Sequence, residues 1–309
     1  WPDRFSVDIN YHDHHWHNRI IPTCFYSRNK HIKLLFKHLL ACLGLLAACL
    51  GQDPLIVLKE FNYSRLLDDD LTPQRMAALD DDHFVLLDQK TNELFVFSYK
   101  GIVHHTGGFG QGGESFSEPV DLIVHNLQIW VCDRYENAVK RFDYKLNYLG
   151  IDQIQSNEYD PFYPDLITAD LFGKAHVFSR QYGQLLSMDN SIRALIDLNQ
   201  YGIDGRCIID LKTDNAGNIA LLSCVNEIVL FNRFGRKLST SLVQIVDPTN
   251  IVHWTNDWIV LNSEGNIETL SGESNDVPIY ENETVLDVDV QFKHLIILTD
   301  QRILVLKRS

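Results

Sequence analysis

The 309 residues contain no apolar run that reaches the length of about 20 needed to cross a bilayer as a helix; the longest apolar stretch, before residue 49, has about ten. Basic residues are few, with 27 Lys and Arg against 41 Asp and Glu and a formal charge of −14. Six of those bases and three Asp fall in the first 48 residues, so the remainder holds 21 basic and 38 acidic side chains. Such an acidic body excludes nucleic acid or an anionic lipid surface as the main partner of the folded part. The six cysteines lack the close pairs of a zinc site. No Ser/His/Asp or Cys/His arrangement with a recognisable nucleophile motif is present, which removes the common covalent hydrolases.

One glycine cluster is conspicuous. Residues 107–113 read G-G-F-G-Q-G-G and include a literal G-x-G-x-x-G. A dinucleotide site needs that motif to leave a strand and open a helix, so that pyrophosphate meets free N–H groups at the helix start. Downstream lie Pro119 and the β-prone segments 120–124 and 129–132, which alternate at a period of two. The glycines therefore mark a tight loop between strands.

The first 54 residues differ in kind. Lys30, Lys33 and Lys37 precede a short apolar stretch that ends on small residues, the pattern of a secretory signal. Leu46-Ala47-Ala48-Cys49 resembles the bacterial lipobox, which implies a lipid on Cys49 as the mature N-terminus. Residues 30–48 are then the signal peptide and 49–54 a short tether. Leu50-Gly51 lacks the aspartate associated with inner-membrane retention in enteric bacteria, so the expected location is the outer membrane of a bacterial cell envelope. Residues 1–29 open without Met and read as neither signal nor domain, and are taken as an upstream mis-extension. A histidine group there, His12, His14, His15 and His17, has metal-binding composition but lies in that leader. Cys132, Cys207 and Cys224 are left on apolar strand segments. They are expected to be small buried residues, with a Cys207–Cys224 bridge as the minor alternative.

From residue 73 one unit recurs: a short apolar strand, an apolar strand closed by a polar residue, a tight turn and a third apolar strand. The closing residues are Asp88, Asp133, Ser179, Ser223, Asn262 and Thr299, spaced 45, 46, 44, 39 and 37 apart. Pro73, Pro119, Pro164 and Pro248 lie 14 or 15 residues before their landmarks. A repeat of this length with these strands predicts a propeller. Six blades account for residues 55–309. The last unit ends after three strands, and the β-prone segment 55–61 is free to supply the fourth, which closes the ring and removes exposed edges. The fold class is all-β, a six-bladed β-propeller with an N-terminal strand closing the last blade.

The second unit carries a family likeness. Phe109, Gly110, Gly112, Gly113, Phe116 and Pro119, followed by residues 129–133 ending in Asp133, then Asn137 and Phe142, resemble an NHL repeat. The match covers about 35 residues, with partial agreement in units one and three and only the period in the others. The resemblance implies a six-bladed NHL-type propeller. The later units leave open a more general six-bladed type that includes lactonase-like enzymes.

In such a ring, the loops entering each innermost strand and the turns between second and third strands share one face. They collect Arg134, Tyr135, Tyr159, Phe162, Tyr163, Arg180, Tyr182 and Arg206, types that dominate binding hot spots. This rim suits a protein, peptide or glycan, with the propeller monomeric, no cofactor, and a membrane contact only through the lipid. The competing reading is a Ca²⁺-dependent lactonase or esterase in which Asp121, Asp165, Asp170 and Asp210 converge on a metal in the channel. Asp88 and Asp133 are expected to satisfy turn N–H groups instead.

Overall fold

The computed structural model describes residues 54–63, 71–156, 161–171, 173–188 and 194–309, so Cys49, the histidine group and Tyr159 lie outside the described residues. A unit spanning Gln52–Ser309 contains six four-stranded antiparallel sheets. The chain enters with β1 (Leu55–Phe61), then builds blade 1 from β2 (Arg75–Ala78), β3 (His83–Asp88), β4 (Glu93–Ser98) and β5 (Gly101–Gly107). Blade 2 is β6 (Pro119–His125), β7 (Gln128–Asp133), β8 (Ala138–Asp143) and β9 (Tyr148–Gln153). Blade 3 is β10 (Leu166–Ala169), β11 (Ala175–Ser179), β12 (Gln184–Ser187) and β13 (Ala194–Asp197). Blade 4 is β14 (Ile208–Thr213), β15 (Ile219–Ser223), β16 (Glu227–Phe231) and β17 (Lys237–Leu242). Blade 5 is β18 (Pro248–Trp254), β19 (Asp257–Asn262), β20 (Asn266–Thr269) and β21 (Ser274–Asp276). Blade 6 takes β22 (Val285–Gln291), β23 (His294–Thr299) and β24 (Ile303–Arg308), with β1 as its fourth strand. The innermost strands β2, β6, β10, β14, β18 and β22 pack in that order, and β22 returns to β2. All six landmark residues close second strands.

The middle strands are continuous apolar runs because both of their faces are covered. In β3, Phe84 and Leu86 enter one core with Phe61, Ile296 and Leu298 of blade 6, whereas Val85 and Leu87 enter another with Leu122, Ile129 and Val131 of blade 2. Period-two alternation sends successive side chains into the two interblade cores. Each fully buried Val, Leu or Phe contributes about 1.5–3 kcal/mol, so the ring is held by many equivalent interfaces rather than by one centre.

Closure by β1 is tied at several points. Residues Leu55 to Phe61 pair antiparallel with Arg308 to Ile303. Phe61 meets Phe84 edge-on at 5.0 Å, and the Tyr63 hydroxyl donates to the Thr299 carbonyl. Buried Arg302 reaches Glu60 of β1 at 2.9 Å and Glu283 at 2.8 Å.

The cysteines correct the sequence reading. Cys207 and Cys224 form a disulfide across 17 residues, and neither is buried. They flank the hairpin of β14 and β15, in which Ile208 pairs with Ser223, and the Cys224 N–H donates to the Cys207 carbonyl at 2.7 Å. Antiparallel pairing brings the two positions together, which apolar composition alone could not reveal. Cys132 is buried and free, and burial pushes its thiol pKa well up.

Candidate functional site

The face bearing the loops into the innermost strands is organised by the landmark carboxylates. Asp133 accepts from the N–H groups of Ser117 at 2.7 Å and Glu118 at 3.1 Å in the entry loop, and of Glu136 at 3.1 Å in its own turn. Asp88 does the same in blade 1 with Thr72, Lys90 and Thr91. Both are fully buried, so each fastens two loops together by filling donors that β-pairing leaves open.

The glycine-rich loop of residues 107–118 is the most elaborate of these. Gly107 adopts φ 118°, and a Cβ there would lie 2.5 Å from the Asn92 carbonyl oxygen, so only glycine permits the turn. Phe109 and Phe116 then bridge, with N–H donation from Phe116 to Gly108 and from Gly110 to Phe116, each at 2.9 Å. Beneath the loop Lys140 is fully buried. Its Nζ donates to the carbonyls of Gly112 at 3.1 Å and Ser115 at 2.6 Å, and to Glu136 Oε1 at 2.8 Å. Phe116 is also fully buried, 5.3 Å from that ammonium and 5.7 Å from Phe142. Phe109 stands 85% exposed above this braced base. The chain continues into β6 rather than a helix, so the dinucleotide fingerprint has no phosphate-binding context.

The expected rim residues separate into accessible and structural groups. Tyr135 is 67% exposed in the turn beside the loop. Arg134 is partly exposed and pairs with Glu118 at 3.4 Å and Asp165 at 3.5 Å. Arg206 is exposed and paired with Asp204 at 2.9 Å. Tyr163 is half-buried at φ 54°, its N–H turned towards Asn137 Oδ1. Arg180 is a clamp: its guanidinium donates to the carbonyls of Ile208 at 2.7 Å and Ile209 at 2.8 Å in the next blade. Tyr182 is half-buried and donates to the Pro161 carbonyl at 3.3 Å. Phe162 is a correction. It is fully buried because its ring fills the apolar core between blades 2 and 3 with Cys132, Val139, Ile167 and Val177, and Asn137 accepts its backbone N–H at 2.9 Å. Phe109, by contrast, is an exposed aromatic that the rim set omitted; its signal was a large apolar side chain at the tip of a glycine loop.

The channel carboxylates also have defined work. Register places Arg75, Asp121, Leu166, Asp210, Asn250 and Asp287 at equivalent positions on the six innermost strands. An innermost strand has one edge without a partner strand, and its N–H groups need acceptors. Asp121 accepts from Ile167, Asp210 from Ile251 and Asp287 from Met76, each at 2.8–2.9 Å and each on the following blade. Arg75 lies 3.8 Å from both Asp121 and Asp287. Burial raises the pKa of these two acids, with Arg75 and Lys212 opposing the shift.

The four acids proposed for calcium do not meet. Asp165 precedes β10 and Asp170 follows it, so the whole of that strand separates them, a span of about 16 Å. Asp165 accepts from the Arg180 N–H at 2.7 Å, and Asp170 from the Lys174 N–H at 2.9 Å. Among the described residues no three His, Cys, Asp or Glu side chains are placed to hold a metal ion.

No protein-family model matches the chain, and no curated protein matches it. Solved structures do. Virginiamycin B lyase from Staphylococcus aureus is similar with a TM-score of 0.61 and 11% identity, over 83% of this chain and 100% of that one. YCF48 bound to D1 peptide is similar with a TM-score of 0.56 and 11% identity, over 84% and 98%. The WD40 propeller domain of Doa1 is similar with a TM-score of 0.52 and 12% identity, over 82% and 97%. At such identity the likeness shows the fold: this is a six-bladed β-propeller of antiparallel four-stranded blades. Those neighbours include an enzyme and a peptide-bound protein, so the fold leaves function to the site.

Proposed function

We propose that this chain is a non-catalytic, NHL-type propeller of the bacterial cell envelope, lipid-anchored at Cys49, that binds a protein or peptide on the rim of its entry face. The observation that carries this reading is Phe109, an aromatic almost wholly in water on a loop fastened from below by buried Lys140. A loop already ordered loses little entropy on binding, so the apolar area of Phe109 and neighbouring Tyr135 counts nearly in full toward affinity. Arg134 adds a charged donor beside them. The peptide-bound propeller among the structural neighbours supports the mode. The Cys207–Cys224 disulfide supports an oxidising compartment outside the cytoplasm. A calcium hydrolase finds no support in the channel, where the acids serve backbone N–H groups.

The test is affinity capture from envelope extract with wild type and a Phe109→Ala/Tyr135→Ala variant. A partner retained by wild type and lost by the variant is expected; identical partner profiles would remove this rim from the site.

A further inference from the structure

The opposite mouth of the channel holds a second candidate site. Two residues along from the first ring, register brings Ala77, Ile123, Thr168, Lys212, Val252 and Asp289 to one level of the six innermost strands. All six line a cavity of about 250 Å³ that opens away from the entry face, towards the ends of β6, β10, β14 and β18. That volume lies just below the range of about 300–1,000 Å³ typical of drug-sized ligands. It suits one ring, not a chain.

The polar groups narrow the chemistry. Lys212 makes no hydrogen bond or ion pair with another described residue, so its ammonium retains three donors for the cavity. Burial alone would pull its pKa down, but Asp210, Asp287, Asp121 and Asp289 together hold it above the ordinary lysine value. Asp289 receives the N–H groups of Ala78 and Val290, one on each oxygen, both at 2.8 Å. Each oxygen keeps a lone pair. The hydroxyls of Thr168 and Thr213 meet at 2.9 Å where blades 3 and 4 join, Val252 lies between Lys212 and Asp289 around the ring, and Ile123 and Val252 supply apolar surface. An anion entering here would face Asp170 and Asp289 on the wall, with Asp121, Asp210 and Asp287 of the first ring adding negative charge behind them, and a cation would face the Lys212 ammonium. A hydroxyl group escapes both penalties, since it accepts from Lys212 and donates to Asp289 or Thr213. Apolar walls beside such groups suit the C–H face of a ring.

We infer that this cavity binds a neutral, single-ring polyol, such as one sugar unit, at a site separate from the protein-binding rim. Adjacent hydroxyls bridge Lys212 and Asp289, and the ring lies against Ile123 and Val252.

Saturation-transfer NMR and calorimetry with D-glucose, D-galactose, N-acetyl-D-glucosamine and myo-inositol test it, with D-gluconate as the anionic comparison. At least one neutral member should bind with a Kd below about 5 mM, and gluconate should bind more weakly. The isosteric variants Lys212→Met and Thr168→Val should each weaken it by about 10-fold or more, with thermal melts verifying their fold. Phe109→Ala should leave it unchanged. Three results would overturn the inference: no panel member binding up to about 20 mM, gluconate binding as tightly as the neutral sugars, or equal sugar affinity in every folded variant. If Lys212→Met fails to fold, Thr168→Val and the gluconate comparison still decide.

Discussion

Replacing Lys140 by Met removes the brace beneath the glycine loop while keeping the length of the side chain. Three donor contacts disappear, two to the carbonyls of Gly112 and Ser115 and one to Glu136, together with the ammonium near the Phe116 ring. Lys140 is fully buried and Asp133 is also within 3.9 Å of its ammonium. Removing one partner of a buried pair typically costs about 3–5 kcal/mol. At about 2–4 °C per kcal/mol for a domain of this size, the melting temperature should fall by about 6–20 °C. Calorimetry on wild type and Lys140→Met reads that shift, and hydrogen exchange reads the loop directly, where amides of residues 108–118 should lose protection before the blades do. The exposed neighbour Lys145 is the control, and Lys145→Met should change stability by no more than about 0.5 kcal/mol. A Lys140→Met protein that melts within about 2 °C of wild type, with unchanged exchange in the loop, would refute the claim that Lys140 orders it.

Other consequences concern the channel, the disulfide and the anchor. Arg75→Met should cost about 3–5 kcal/mol at pH 7, because Asp121 and Asp287 are left as buried acids. Burial already raises both pKa values and Arg75 holds them down, so the variant raises them further. A carboxyl whose folded pKa exceeds its unfolded value regains stability as pH falls through it, and guanidinium titrations should show the deficit shrinking by pH 5; a growing deficit contradicts the assignment. Reducing the Cys207–Cys224 bridge, or replacing both residues by Ser, should cost about 3 kcal/mol for a loop of this length. An unchanged guanidinium midpoint would argue that the bond is not formed. Cys49→Ser should abolish incorporation of labelled palmitate, and continued labelling would end the lipobox reading.

The ring was legible because its second strands are buried on both faces. Phe84-Val-Leu-Leu and Ile129-Trp-Val-Cys appear as uninterrupted apolar runs, each closed by a carboxylate that fastens a turn. Proline positions and the free segment 55–61 supplied the register and the closing strand. The site was less legible. Phe162 and Tyr135 are both aromatics on neighbouring loops, yet one fills the core that blades 2 and 3 create together while the other stays in water. The Cys207–Cys224 contact depends on hairpin pairing, which spacing alone does not specify. Channel residues were hardest. Arg75, Lys212 and Asp289 each sit in a different repeat with no shared motif, and their meeting depends on closure of six blades. Asp121 and Asp210 were recognised as channel residues, but the demand they meet, an innermost edge with no partner strand, arises only in the assembled ring.

If the protein engages a partner through the rim around Phe109, that partner must come within crosslinking reach of this side chain. Site-specific photo-crosslinking tests it most directly, with p-benzoylphenylalanine placed at position 109 or at the similarly exposed Phe234. A discrete protein adduct is expected from position 109 in envelope extract and none from position 234. Equal adducts from both, or none from position 109, would contradict it.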